Sequence, residues 1–160
     1  MKVKLSFFLL FLSIAMFSQR KTVAQHFVVK PLEIAIFPAE YQDYGLKGKR
    51  FSPHESDVLM AEKALATKLE KVNHLLMNQS TTPVIHKNLN NYFRQYFGII
   101  NKKGQQVLLI QLFWKNIDQS NNRRWLNERI DVSEGGSFYW NIKYNIETGE
   151  LFDLKVNMDI

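Results

Sequence analysis

The chain contains no cysteine. That excludes thiol catalysis, thiolate metal sites, disulfide staples and the lipidated cysteine that would tether a bacterial lipoprotein. Glycine is scarce: its seven copies are scattered and form neither a phosphate-cradling loop nor a nucleophile elbow. Histidine is limited to His26, His54, His74 and His86, with no pair at i, i+4 and no His-Glu-x-x-His. No metal and no cofactor is therefore expected. A membrane-length apolar run is missing too. The longest stretch, Leu5 to Phe17, carries only Ser6 and Ser13 as mildly polar positions and spans about 20 Å as a helix, short of the ~30 Å hydrocarbon core.

What that stretch does have is a setting. Lys2 and Lys4 precede it, and a polar tail with Thr22-Val23-Ala24 follows. A charged start, an apolar core and a small-residue site read as a secretory signal peptide over residues 1–24. Cleavage is expected after Ala24, with Ser18 as the alternative. An exported product, periplasmic or secreted, without a membrane span after cleavage, is the expectation.

Removing the leader changes the charge argument. The full sequence carries 21 basic and 15 acidic residues for a net +6. Lys2, Lys4, Arg20 and Lys21 fall in the leader and no acid does, so the remainder holds 17 basic against 15 acidic residues. A balance of +2 gives no case for nucleic acid, which is bound by neutralising phosphates. The remaining 136 residues suffice for one domain with a core of its own.

Residues 25–50 read as an N-terminal arm and loop: Pro31 interrupts the β-prone run from His26 to Pro38, which leaves an edge strand or an extended arm. Residues 51–160 read as a single α+β domain. Its helix signal is Ser52-Pro53-His54-Glu55, a capping box with proline at the first helical position. Val58, Ala61, Leu65, Leu69, Val72 and Leu76 follow at helical spacing, predicting an amphipathic helix of about six turns that ends near Asn78. Val84 to Tyr92 continues with a weaker helical pattern.

The period then changes to two. Tyr92 to Asn101 and Gln105 to Lys115 flank the turn Lys102-Lys103-Gly104, Trp125 to Val132 is a third candidate strand, and Ser137 to Ile146 and Leu151 to Met158 flank Glu147-Thr148-Gly149. In the last pair Trp140, Ile142 and Tyr144 share one face, as do Phe152, Leu154, Val156 and Met158. A long amphipathic helix on a four- to five-stranded antiparallel sheet is expected, of cystatin or NTF2 type.

The run Tyr139-Trp140-Asn141-Ile142-Lys143-Tyr144-Asn145-Ile146-Glu147-Thr148-Gly149-Glu150-Leu151 resembles the closing hairpin of PepSY-type modules. Phe51-Ser52-Pro53, Ala61-Glu62-Lys63-Ala64-Leu65, Tyr92-Phe93-Arg94-Gln95-Tyr96-Phe97-Gly98 and Gly135-Gly136-Ser137-Phe138-Tyr139-Trp140 are similar to small exported proteins of Bacteroidetes. That resemblance implies export and fold, and no reaction. The Gln-x-Val-x-Gly hairpin of cystatin inhibitors is not matched by Gln105-Gln106-Val107-Leu108-Leu109.

Candidate functional residues come from the aromatic sheet half. Val107, Leu109 and Phe113 alternate with Leu108, Ile110, Leu112 and Trp114, as in a central strand covered on both faces or one that lines a partner groove. Tyr139, Asn141 and Lys143 form a polar, aromatic strip opposite Trp140, suited to protein, peptide or carbohydrate contact. With Trp114 and Arg94 they make up the expected binding set. The expected function is an exported, non-catalytic binding module of open oligomeric state. Two alternatives stand beside it: a small NTF2-like enzyme with His86, Arg94 or Asp131 in a pocket between helix and sheet, and an inhibitor or accessory subunit pairing through a sheet edge.

Overall fold

A computed structural model describes residues 24–116 and 123–159; the signal-peptide reading lies outside them, apart from Ala24. In chain order the strands and helix are β1 (Gln25–Val29), β2 (Leu32–Phe37), β3 (Arg50–Phe51), α1 (Glu55–Val72), β4 (Tyr92–Ile100), β5 (Gln106–Trp114), β6 (Tyr139–Asn145) and β7 (Leu151–Val156). They build one seven-stranded sheet in the order β1-β2-β4-β5-β6-β7, with β3 beside the far half of β4. All named pairs are antiparallel except β2 with β4, which run parallel. A parallel neighbour requires a long crossover, and the segment holding β3 and α1 supplies it.

This overturns the four- to five-stranded antiparallel expectation and, with it, the cystatin or NTF2-like architecture. Residues 25–50 contribute β1, β2 and the first residue of β3. Pro31 falls in the turn between β1 and β2, where a missing N–H removes no ladder bond. Trp125 to Val132 is not a strand; its first part is a 3-10 turn, Arg124–Leu126. The Val84 to Tyr92 pattern resolves into two such turns, Ile85–Lys87 and Leu89–Asn91.

The helix is also shorter than its apolar period suggested, at 18 residues. Its N-cap is His54, whose N–H is accepted by Asp57 Oδ2 at 3.0 Å. Ser52 serves elsewhere, accepting the Ala39 N–H at 2.9 Å. At the other end Asn73 and Gln79 exchange side-chain hydrogen bonds of 3.0 and 2.6 Å, and Asn73 also contacts His86 at 3.0 Å. These bonds fold the chain back after Val72, and Leu76 leaves the core.

Two apolar clusters lie on opposite faces of the sheet. Under α1, Val58, Ala61, Leu65 and Leu69 meet Ile110, Trp140 and Ile142. Leu65, Leu69, Trp140 and Ile142 fill the space in which an enzyme pocket was expected. On the other face Phe37, Phe97 and Phe113 pack with Trp125 and Leu126, so irregular chain covers this side. The two-sided apolarity of β5 is thus that of a central strand.

Gly98 places the loop that precedes β3. A Cβ there would stand 2.2 Å from the Phe51 carbonyl oxygen, so only glycine lets β3 approach β4 this closely. The Lys49 carbonyl then accepts the Ile100 N–H at 2.9 Å, and the Gly45 to Gly48 stretch is held beside the sheet.

Candidate functional site

The face away from α1 carries a groove of about 660 Å³. Its floor is made by alternate residues of the central strands, Leu109 and Gln111 of β5 and Asn141 and Lys143 of β6. One wall is Leu46 and Lys47 from the loop before β3; another is Arg129 and Asp131. Phe152 and Lys155 of β7 close the rim.

A row of amides explains how this face is organised. Gln95, Gln111 and Asn141 lie directly opposite one another across β4, β5 and β6. Gln95 is 0 % exposed. Its Nε2 donates to the Trp125 and Glu128 carbonyls, both at 2.7 Å, and its Oε1 accepts the Ile130 N–H at 2.8 Å. Gln111 Nε2 donates to the Ile130 carbonyl. The segment therefore satisfies its backbone on side chains of the sheet, which is why its β-prone sequence makes no strand. Gln111 Oε1 is buried without a partner among the described residues.

Phe152 reaches the rim through a β-bulge. Lys143 pairs with Phe152 and Asn141 with Lys155, with the register shift between them, and Asp153 takes a φ of +53°. An extra residue restarts the alternation. Phe152 and Lys155 consequently lie on the groove face, while Leu154 and Val156 pack on the helix side. This corrects the single face expected for Phe152, Leu154 and Val156.

The groove is rich in cations, several already paired. Lys143 Nζ is 2.6 Å and Lys155 Nζ 3.8 Å from the Asp153 carboxylate. Arg129 is bridged between Asp43, at 3.5 Å, and Asp131. Lys47 and Lys102 line the same groove, and neither has an ion-pair partner among the described residues. Both sit at the end of β4 where β3 pairs and the β4–β5 turn begins.

Of the five residues expected to bind, the structure brings Asn141 and Lys143 together in this groove. Tyr139 is on the same face but packs into the apolar cluster beside it. Trp114 and Arg94 are on the helix side. Trp114 meets Tyr92 and Phe138 edge-on, with ring centroids 5.0 and 5.6 Å apart. Arg94 is 1 % exposed, with Nε 2.6 Å from Glu62 Oε1. Its terminal nitrogens donate to the Tyr92 and Leu89 carbonyls at 2.7 and 3.0 Å. Burial pushes the Glu62 carboxyl up, against the pull of Arg94 and of the hydrogen bond from Tyr96. This is an internal brace between α1 and β4. Of the residues named for the enzyme alternative, His86 belongs to the Asn73 network behind the helix, and Asp131 lies across the sheet from both His86 and Arg94.

Gln111, Arg129, Phe152, Lys47 and Lys102 are not in the expected binding set, and Leu109 enters the sequence reading only through the two-sided apolarity of its strand. Strand parity alone would have placed Gln111 beside Asn141 once the β5–β6 register was known. Nothing local to residues 45–48 or 129–131 announces that those segments fold over the sheet. No protein-family model, curated protein or solved structure matches the chain.

Proposed function

We propose that this chain is an exported, non-catalytic binding module whose ligand occupies the groove over β5 and β6. The observation that carries the reading is the composition of that groove: apolar side chains along its lining, amides from Gln111 and Asn141 on its floor, and cations at its floor, walls and mouth. Pockets of this size hold drug-sized ligands, and a few polar groups on an apolar lining fix orientation. Asp131, the one carboxylate among the described lining residues, is engaged by Arg129. The charged start and short apolar core of residues 1–24, and the resemblance to exported proteins, support the address. Among the described residues no helix is long and apolar enough to cross a membrane.

The test is thermal-shift screening of the purified protein against peptides, oligosaccharides and small organic acids. A ligand at about a hundred times its Kd adds about 2.7 kcal/mol, a rise of several degrees in a domain of this size. Asn141→Ala with Lys143→Ala is expected to abolish the shift while leaving the unliganded melting temperature within a few degrees. An unaffected shift moves the site elsewhere. Conversion of the bound ligand to product on prolonged incubation overturns the non-catalytic reading.

A further inference from the structure

We infer that the ligand of this groove is an amphipathic organic anion, with an apolar body and a single acidic head. The inference rests on the binding reading just given and adds the ligand's chemistry. Leu46, Ile99, Leu109 and Phe152 present branched aliphatic surface and one ring. Such a lining gains from covering hydrocarbon or an aromatic body. Phe152 is 39 % exposed at the rim, apolar surface that a ligand would cover.

The head is placed by the distribution of charge. Asp153 neutralises the lysines at the β7 rim, and Asp43 and Asp131 occupy Arg129, so those cations attract a further anion only weakly. Lys47 and Lys102 have no such counter-ion among the described residues, and chain connectivity brings both to one end of the groove. The Lys49 carbonyl bonds the Ile100 N–H at 2.9 Å, with Lys102 two residues beyond Ile100. Lys49 and Lys103 flank them in sequence and raise the local potential. A carboxylate, sulfonate or sulfate fits that end while its apolar portion lies toward Leu109. Fatty acids and aromatic acids share this chemistry.

The experiment titrates two dyes of similar apolar body into the purified protein at low salt. One is 8-anilinonaphthalene-1-sulfonate, an anion; the other is neutral N-phenyl-1-naphthylamine. The expected result is one saturable site per chain, with the anion about fivefold or more tighter, as two weakly screened lysines would give. Lys47→Ala with Lys102→Ala removes that preference and leaves the neutral dye unchanged. Laurate displaces the anionic dye and dodecanol does not if the site takes a fatty acid; displacement by 1-naphthoate alone assigns it to aromatic acids. Equal affinity for the two dyes, or an unchanged anion affinity in the double variant, overturns the inference and leaves the binding groove standing. Binding of neither dye overturns both. Uptake of several dyes per chain marks non-specific apolar surface and also overturns the inference.

Discussion

Gln95 and Gln111 stand directly opposite each other on β4 and β5, and between them they bond both the N–H and the carbonyl of Ile130. A loop that would otherwise carry orphaned backbone groups is thereby fastened to the sheet, and its next residues become a wall of the groove.

Gln95→Leu removes three hydrogen bonds at once and strands their partners in the interior. A loss of about 2–4 kcal/mol is expected, since each orphaned group costs more than a typical bond contributes. Hydrogen exchange at the Ile130 amide should accelerate well beyond the average for the domain. Slow exchange at Ile130 in the variant would show that Gln111, Trp125 and Leu126 hold the loop without Gln95.

The Arg94–Glu62 pair tests the helix brace. Arg94→Met leaves the Glu62 carboxyl buried without its cation, and about 3 kcal/mol should be lost in a urea melt. Adding Glu62→Leu should restore most of that, because two apolar side chains replace two desolvated charges. Ligand affinity at the groove is expected to stay constant in both variants, as the pair lies on the opposite face. A drop in affinity would connect the faces.

Burial raises the phenols of Tyr92 and Tyr96 above their ordinary value of 10.0. Each donates its proton, Tyr92 to the Ser137 carbonyl at 2.9 Å and Tyr96 to Glu62 at 2.8 Å. In the unfolded chain they ionise near 10, so the folded state binds more protons above that pH. Their contribution is complete below about pH 10 and is lost as pH rises beyond it, at about 1.4 kcal/mol per pH unit for each phenol. Thermal melts from pH 8 to 11.5 should show this alkaline branch, and Tyr92→Phe or Tyr96→Phe should flatten it. A branch of equal slope in both variants would assign the effect to other groups.

Ala24 bears on where the proposed leader would be cut. It is 7 % exposed, and its N–H donates to the Leu126 carbonyl at 3.0 Å. A chain beginning at Gln25 lacks that bond and that buried methyl. A chain beginning at Gln19, from cleavage after Ser18, keeps both and should be more stable by about 1–2 kcal/mol. Intact mass of the exported protein identifies the cut, and denaturant melts of the two forms measure the difference. Equal stability would mean that Ala24 is dispensable to the second core.

Much of this protein follows from sequence alone. The charged start and short apolar run of residues 1–24, the absence of thiols, the helix over most of its length and the β4–β5 and β6–β7 hairpins are written in composition, local periods and turns. So are the opposed faces of Asn141 and Trp140, because alternation is a property of one strand. Tertiary structure decided what lay between segments distant in the chain. It made strands of the arm by pairing β2 with β4, ended the helix early through Asn73 and Gln79, and turned Trp125 to Ile130 from strand to cover by offering it glutamine side chains. It separated Arg94 and Trp114 from Asn141 and Lys143, and it brought Lys47 and Lys102 to one end of a groove. Periodicity records which side of an element is apolar; which other element satisfies that side, and which backbone groups find partners there, depends on the register of contacts far apart in sequence.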